Sequence, residues 1–320
     1  MAISPRLSSL LLVGGVATCC AGTDGVAQGV RVSERDGGFL FSEAGAPILS
    51  YRRAPQTING HTRAHYIHPL YGLDGEALTE ETPKDHPHHW GVFWAWHQLL
   101  IGDKHIGDPW IQKDAAWRVR RATATTCPDG SALLDATVDW TSPLRVNAEG
   151  VEETIVFETT QLRIHPVSDG HRLIDVTIGL RAAMANVRIG GAENNKEYGG
   201  FSVRIPMPSD LKFTDAKGDV TPQGPPVAAS PWMDFSASFR GEGEPRSGLT
   251  ILCHPSTPGF PQRWILRARG SMQNPVYPGR EAVTLPMEKP LILRYRLVIH
   301  RGDAQEAGID ALHQQYAEKE

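Results

Sequence analysis

The sequence predicts an all-β protein, a large antiparallel β-sandwich with a C-terminal helix. Three observations carry that expectation. First, apolar and polar residues alternate: Ile174, Val176, Ile178 and Leu180 point one way while Asp175, Thr177 and Gly179 point the other. That is the period of a strand with one buried face. Second, 32 glycines and 24 prolines punctuate the chain, which suits many short strands joined by turns. Third, helical spacing is convincing only near the C-terminus, and neither a linker nor a blade-length repeat is visible. One sandwich domain over residues 28–320 is therefore preferred to a propeller.

Taken in order, residues 39–41 and 48–51 read as short strands, and residues 65–71 as another, closed by the turn Leu73-Asp74-Gly75. Residues 92–97 have strand composition. Residues 117–123 and 132–140 form a hairpin across Cys127-Pro128-Asp129-Gly130, whose proline and glycine supply the turn. Residues 153–164 and 173–180 form a second, across Asp169-Gly170, a strong hairpin signal. Strands follow at 199–205, 249–253, 264–268 and 291–299, with the proline-rich stretch 221–232 as a loop. The terminal helix is expected over residues 303–318, capped by Asp303, with Ile309, Leu312 and Tyr316 on one face.

Residues 1–27 read as a signal peptide rather than as fold. Arg6 precedes a short apolar run, and small residues offer cleavage after Ala21 or Ala27. Export to the periplasm or beyond follows; a lipid anchor at Cys19 or Cys20 fits less well, because the preceding residues make a poor lipobox. No later stretch approaches the roughly 20 apolar residues of a membrane helix. A formal net charge of -4 gives no basic footprint for nucleic acid. Beyond the leader only Cys127 and Cys253 remain, which fits either one bridge or two inert thiols.

Function-bearing residues concentrate in one place. Eight of 13 histidines lie between His61 and His105, and residues 84–97 hold four histidines and three tryptophans. A core has no packing need for so many imidazoles, since each buried ring nitrogen wants a partner. Smaller features point elsewhere: Gly190-Gly191 and Gly199-Gly200 sit beside strands, not before a helix, and no nucleophile elbow or nucleotide fingerprint is present.

The segments His65-Tyr66-Ile67-His68-Pro69-Leu70-Tyr71-Gly72, Leu78-Thr79, Asp85-His86-Pro87-His88-His89-Trp90-Gly91, Asn195-Lys196-Glu197-Tyr198-Gly199-Gly200 and Cys253-His254-Pro255 resemble the PmoA-like family of exported bacterial proteins, a domain of unknown function. The resemblance runs over most of the chain beyond the leader. The family pattern carries arginine where this chain has Trp90, so no role of that arginine transfers. A membrane methane-oxygenase subunit, which the family name suggests, needs several membrane helices that this sequence lacks. The resemblance implies an exported β-sandwich. A sugar substrate is expected only by analogy with mutarotase-like supersandwiches.

Three readings of the histidine block stand side by side. In the first, His86 and His88 share a strand face and perform acid–base chemistry on a carbohydrate: hydrolysis, elimination or epimerisation. Glu197 is then the carboxylate partner. Arg63, His89, Trp90, Asn195, Lys196, Arg204 and His254 are candidates for binding a small-molecule or oligosaccharide substrate, and Trp90, Trp94 and Trp96 can offer flat faces to a sugar. In the second, His86 and His88 hold a divalent metal, with a third ligand from His68, His97, Glu193 or His254. In the third, the block is only structural, a solvated loop whose rings bond backbone carbonyls with Trp94 and Trp96 as ordinary core, or the protein is a sandwich that binds carbohydrate without catalysis.

Overall fold

The computed structural model describes Met1 and residues 29–319. The expected leader, residues 1–27 with Cys19 and Cys20, otherwise lies outside the described residues. The fold is all-β with one terminal helix, and two antiparallel sheets dominate it.

The larger sheet has nine strands. Its centre runs Ala132–Val146, Glu152–Ile164, His171–Ala182, Leu291–Arg301 and Ser247–Cys253 in spatial order. The alternation in the sequence is the cause: Ile174, Val176 and Ile178 are fully buried while Asp175 and Thr177 between them are not. Each fully buried aliphatic of this kind contributes about 1.5–3 kcal/mol. The second sheet has six strands, ordered Arg31–Arg35, Gly38–Glu43, Ala46–Arg52, Tyr66–Leu70, Val92–Ala95 and Gly200–Val203. Its inner face packs on the first sheet. Phe201 stacks on Tyr295 at 4.5 Å, and Trp96 meets Trp140 at 5.6 Å.

Both expected hairpins form. Trp117 pairs with Trp140 in the first, and Asp169 and Gly170 take positive φ in the turn of the second. A four-stranded sheet, ordered Val283–Thr284, Val187–Gly190, Gln98–Ile101 and Lys104–Gly107, was not expected. Its strands are too short to show a period. Trp232–Ala237 likewise extends the large sheet where the proline-rich loop ends.

The helix is shorter than the sequence suggests, Ile309–Ala317, and starts after Gly308 at φ 64. Asp303 instead accepts the N–H groups of Gln305 and Glu306 in the turn before it. Ile309, Leu312 and Tyr316 are its buried face, as their spacing predicts, and they pack with Trp232, Leu252 and Val298. No helix among the described residues is long and apolar enough to cross a membrane. Cys127 and Cys253 are free thiols, and burial pushes the Cys253 thiol up.

Candidate functional site

The histidine block is a loop between strands, not a strand. Two successive turns shape it: the His86 N–H donates to Pro83 O, and the His89 N–H to His86 O. Thr82 N–H to His89 O and Gly91 N–H to Glu80 O close its neck. Gly91 makes that closure feasible. Its φ is 62°, and a Cβ there would sit 2.2 Å from the Ile67 carbonyl oxygen, so only glycine fits.

The two turns gather the rings that extended spacing was expected to gather. His86 and His88 lie 5.7 Å apart centroid to centroid, His88 and His89 4.6 Å, and His61 reaches His88 at 6.2 Å. His89 is buried, stacked on His86 at 4.8 Å and edge-on to Trp110 at 5.9 Å. Its Nδ1 has no partner among the described residues.

Charge orients this patch. The buried Arg204 guanidinium grips Asp85 with two hydrogen bonds of 3.0 Å and gives a third, 2.9 Å, to Glu80. Asp85 in turn accepts from His86 Nδ1 at 2.9 Å. Partial burial alone would raise the Asp85 carboxyl, but hydrogen bonds from His86 and Arg204 hold it below its ordinary range. His88 differs. No hydrogen bond engages its ring among the described residues. Burial, then the imidazoles of His86, His61 and His97, pull it down to about 4, with Asp108 acting the other way. At neutral pH His88 is therefore an uncharged imidazole with free nitrogens.

Beyond the buried Trp110, and lined by neither His86 nor His88, lies an open cleft of about 510 Å³, within the roughly 300–1,000 Å³ usual for small-molecule sites. Its walls include His97, Asp108, Lys113, Glu193, Asn194 and Tyr198. His97 Nδ1 donates to Asp108 Oδ2 at 2.9 Å, and His97 Nε2 has no partner among the described residues. The other Asp108 oxygen takes the N–H groups of Trp110 and Ile111, fixing the turn. Trp110 joins cleft to patch: its ring touches His89 on one side and His97 and Tyr198 on the other. Burial and then Asp108 raise the Tyr198 phenol.

The other candidates lie elsewhere. Glu197 pairs with Arg263, not with His86 or His88; Asp85 holds that carboxylate position. Asn195 and Lys196 are exposed in the same segment, which reaches the cleft through Glu193, Asn194 and Tyr198 instead. Trp90, Trp94 and Trp96 are fully buried and offer no face to a sugar. Arg63 is also buried, donating to Trp94 O and lying 4.0 Å over Trp117, and burial lowers it to about 9. His254 anchors the chain end, with Nδ1 on Ser256 Oγ and Nε2 on Lys319 O. Arg204 acts on the loop rather than facing a ligand. Among the described residues no group of three or more His, Cys, Asp or Glu side chains is placed to hold a metal ion, so the pair His86 and His88 stands without a third ligand.

Sequence reasoning passed over Asp108 as a site residue and gave His97 only as a ligand candidate. The signal available was local: Asp108 sits in Gly107-Asp108-Pro109, a turn sequence, shortly after the last histidine of the block.

Fold and site together define an all-β sandwich protein with a histidine-lined surface cleft. A family model described as a family of unknown function, DUF6807, matches residues 40–314, and the chain belongs to that family. A search of curated proteins finds no match.

Proposed function

We propose that the protein is an exported enzyme that acts on carbohydrate by acid–base chemistry, with His88 as the base. The observation that supports this best is the pairing of unlike neighbours. His88 is neutral and unengaged, while His86 beside it is held by a carboxylate through Nδ1. Neighbouring titratable groups in contrasting environments suit a division of acid and base roles. His88 takes a proton from substrate or water; His86 acts from its imidazolium form, giving the Nε2 proton while Asp85 keeps Nδ1–H, and the two rings exchange protons with solvent between turnovers. Asp85, itself clamped by Arg204, keeps the His86 ring in one orientation.

The carbohydrate part rests on the cleft. It offers donors and acceptors on several sides, with Ile111 and Leu144 as apolar contacts, a mixture that matches the hydroxyls and C–H faces of a sugar. Similarity to PmoA-like proteins and the leader-like residues 1–27 support export. The test is NMR-monitored turnover of a panel of aryl glycosides and reducing sugars. Product formed by the native chain and lost in His88→Ala, with the fold intact, is the expected result. Glycan binding without product over hours would instead make this a noncatalytic binding protein.

A further inference from the structure

We propose that the ligand is a linear oligosaccharide, laid along a groove that passes on both sides of the His105–Glu193 pair. This rests on the carbohydrate reading above and names the size of ligand within it. The cleft of about 510 Å³ adjoins a second of about 450 Å³, and both are lined by His105 and Glu193. The two side chains they share are 3.8 Å apart, with exposures of 50% and 67%. An exposed imidazole–carboxylate contact of this kind is worth little, so a ligand can displace or bridge it at small cost.

The second cleft has the same chemical character as the first. Gln98, Arg188 and Arg280 face Asp103 and Glu281, with Leu100 and Ala282 as small apolar contacts. Cations and carboxylates are mixed, which does not select a strongly charged ligand. The Gln98 amide is spent on Gly191 O and Arg280 O, so this wall is held in place from within. A single hexose in the first cleft leaves the second empty. A chain of sugar units presents hydroxyls at regular intervals and fills both compartments with the same kinds of contact.

The test is calorimetric titration of the protein with di- to hexasaccharides of the neutral β-1,4-glucan, xylan and mannan series. In at least one series the hexasaccharide should bind about tenfold or more tighter than the disaccharide. Ala282→Trp, which fills the second cleft, should bring the two within about twofold of each other. Arg188→Ala, on the neighbouring strand of the same sheet, is the second variant should Ala282→Trp fail to fold, and it should narrow the difference in the same direction. Equal affinity for short and long chains in the native protein overturns the groove. So does equal affinity for a mixed-charge decapeptide. Turnover of aryl glycosides without any length dependence removes the groove and leaves the catalytic reading standing. Length-dependent binding with no turnover does the reverse.

Discussion

The His65–Glu158 cluster and the Asp85–His86–His88 patch are built from the same two kinds of side chain and sit at opposite extremes of access. Glu158 is fully buried. Its carboxylate accepts from His65 Nε2, Trp94 Nε1, Trp140 Nε1 and Thr160 Oγ1 at 2.6–2.7 Å. Tyr51 OH closes the chain on His65 Nδ1 at 2.6 Å. Burial alone would raise Glu158, but His65 and these hydrogen bonds hold it below its usual range. The cluster ties the six-stranded sheet to the nine-stranded one and leaves no atom for a ligand. In the patch, His88 keeps its ring nitrogens free and His86 keeps Nε2. Residue type does not separate a structural imidazole–carboxylate pair from a chemical one. Counting the unengaged atoms, and asking whether solvent reaches them, does.

The contrast can be broken at either end. The largest effect is expected in the sealed cluster. Glu158→Ala leaves buried donors without an acceptor and should cost about 3–5 kcal/mol in urea unfolding. A loss under about 1 kcal/mol would mean that the cluster is not a structural tie. Next, His88→Ala should lower kcat/KM on whichever glycoside is turned over by about 10²–10⁴-fold. Its unfolding free energy should change by less than about 1 kcal/mol. A variant that unfolds but keeps its activity per folded molecule reverses the assignment of the two regions.

Two smaller effects sharpen the comparison. Arg204→Lys keeps the charge and loses the two-pronged grip on Asp85. Hydrogen exchange over residues 82–91 should speed up, and kcat/KM should fall about tenfold; unchanged exchange would show that the loop is held by its turns alone. A further effect is in pH. The folded-state value of His88 is depressed, so its contribution to stability is full above about 6.5 and is lost as pH falls through about 4. Urea unfolding at pH 7, 5 and 4 should therefore show a decline that His88→Gln makes shallower.

What the sequence made legible follows from how local each signal is. The alternation in Ile174-Asp175-Val176-Thr177-Ile178 is read within one strand, and it placed the core face of the large sheet correctly. Ile309, Leu312 and Tyr316 gave the buried face of the helix for the same reason, although the start of the helix was set by Gly308. The histidine block was visible as a cluster because its members are neighbours in the chain. Its geometry was not visible: Pro83, Pro87 and Gly91 mark turns, and strand spacing was read over them. Partnerships across the chain left no trace. Glu158 lies 93 residues from His65, and Arg204 119 from Asp85. Glu197 carries the right chemistry for a partner of His86, yet pairs with Arg263 from another loop. The tryptophans were ambiguous by nature, since the same ring serves a core or a sugar face; here the core takes all three of the block.

One measurement bears most directly on the division between sealed and open histidines: NMR titration of the His88 ring, assigned by comparison with His88→Gln. We expect a midpoint near 4, so that the ring is neutral at pH 7 and free to take a proton. A midpoint at or above about 6.5, the ordinary histidine value, would contradict the crowded, desolvated and uncompensated setting that sets His88 apart from the sealed histidines.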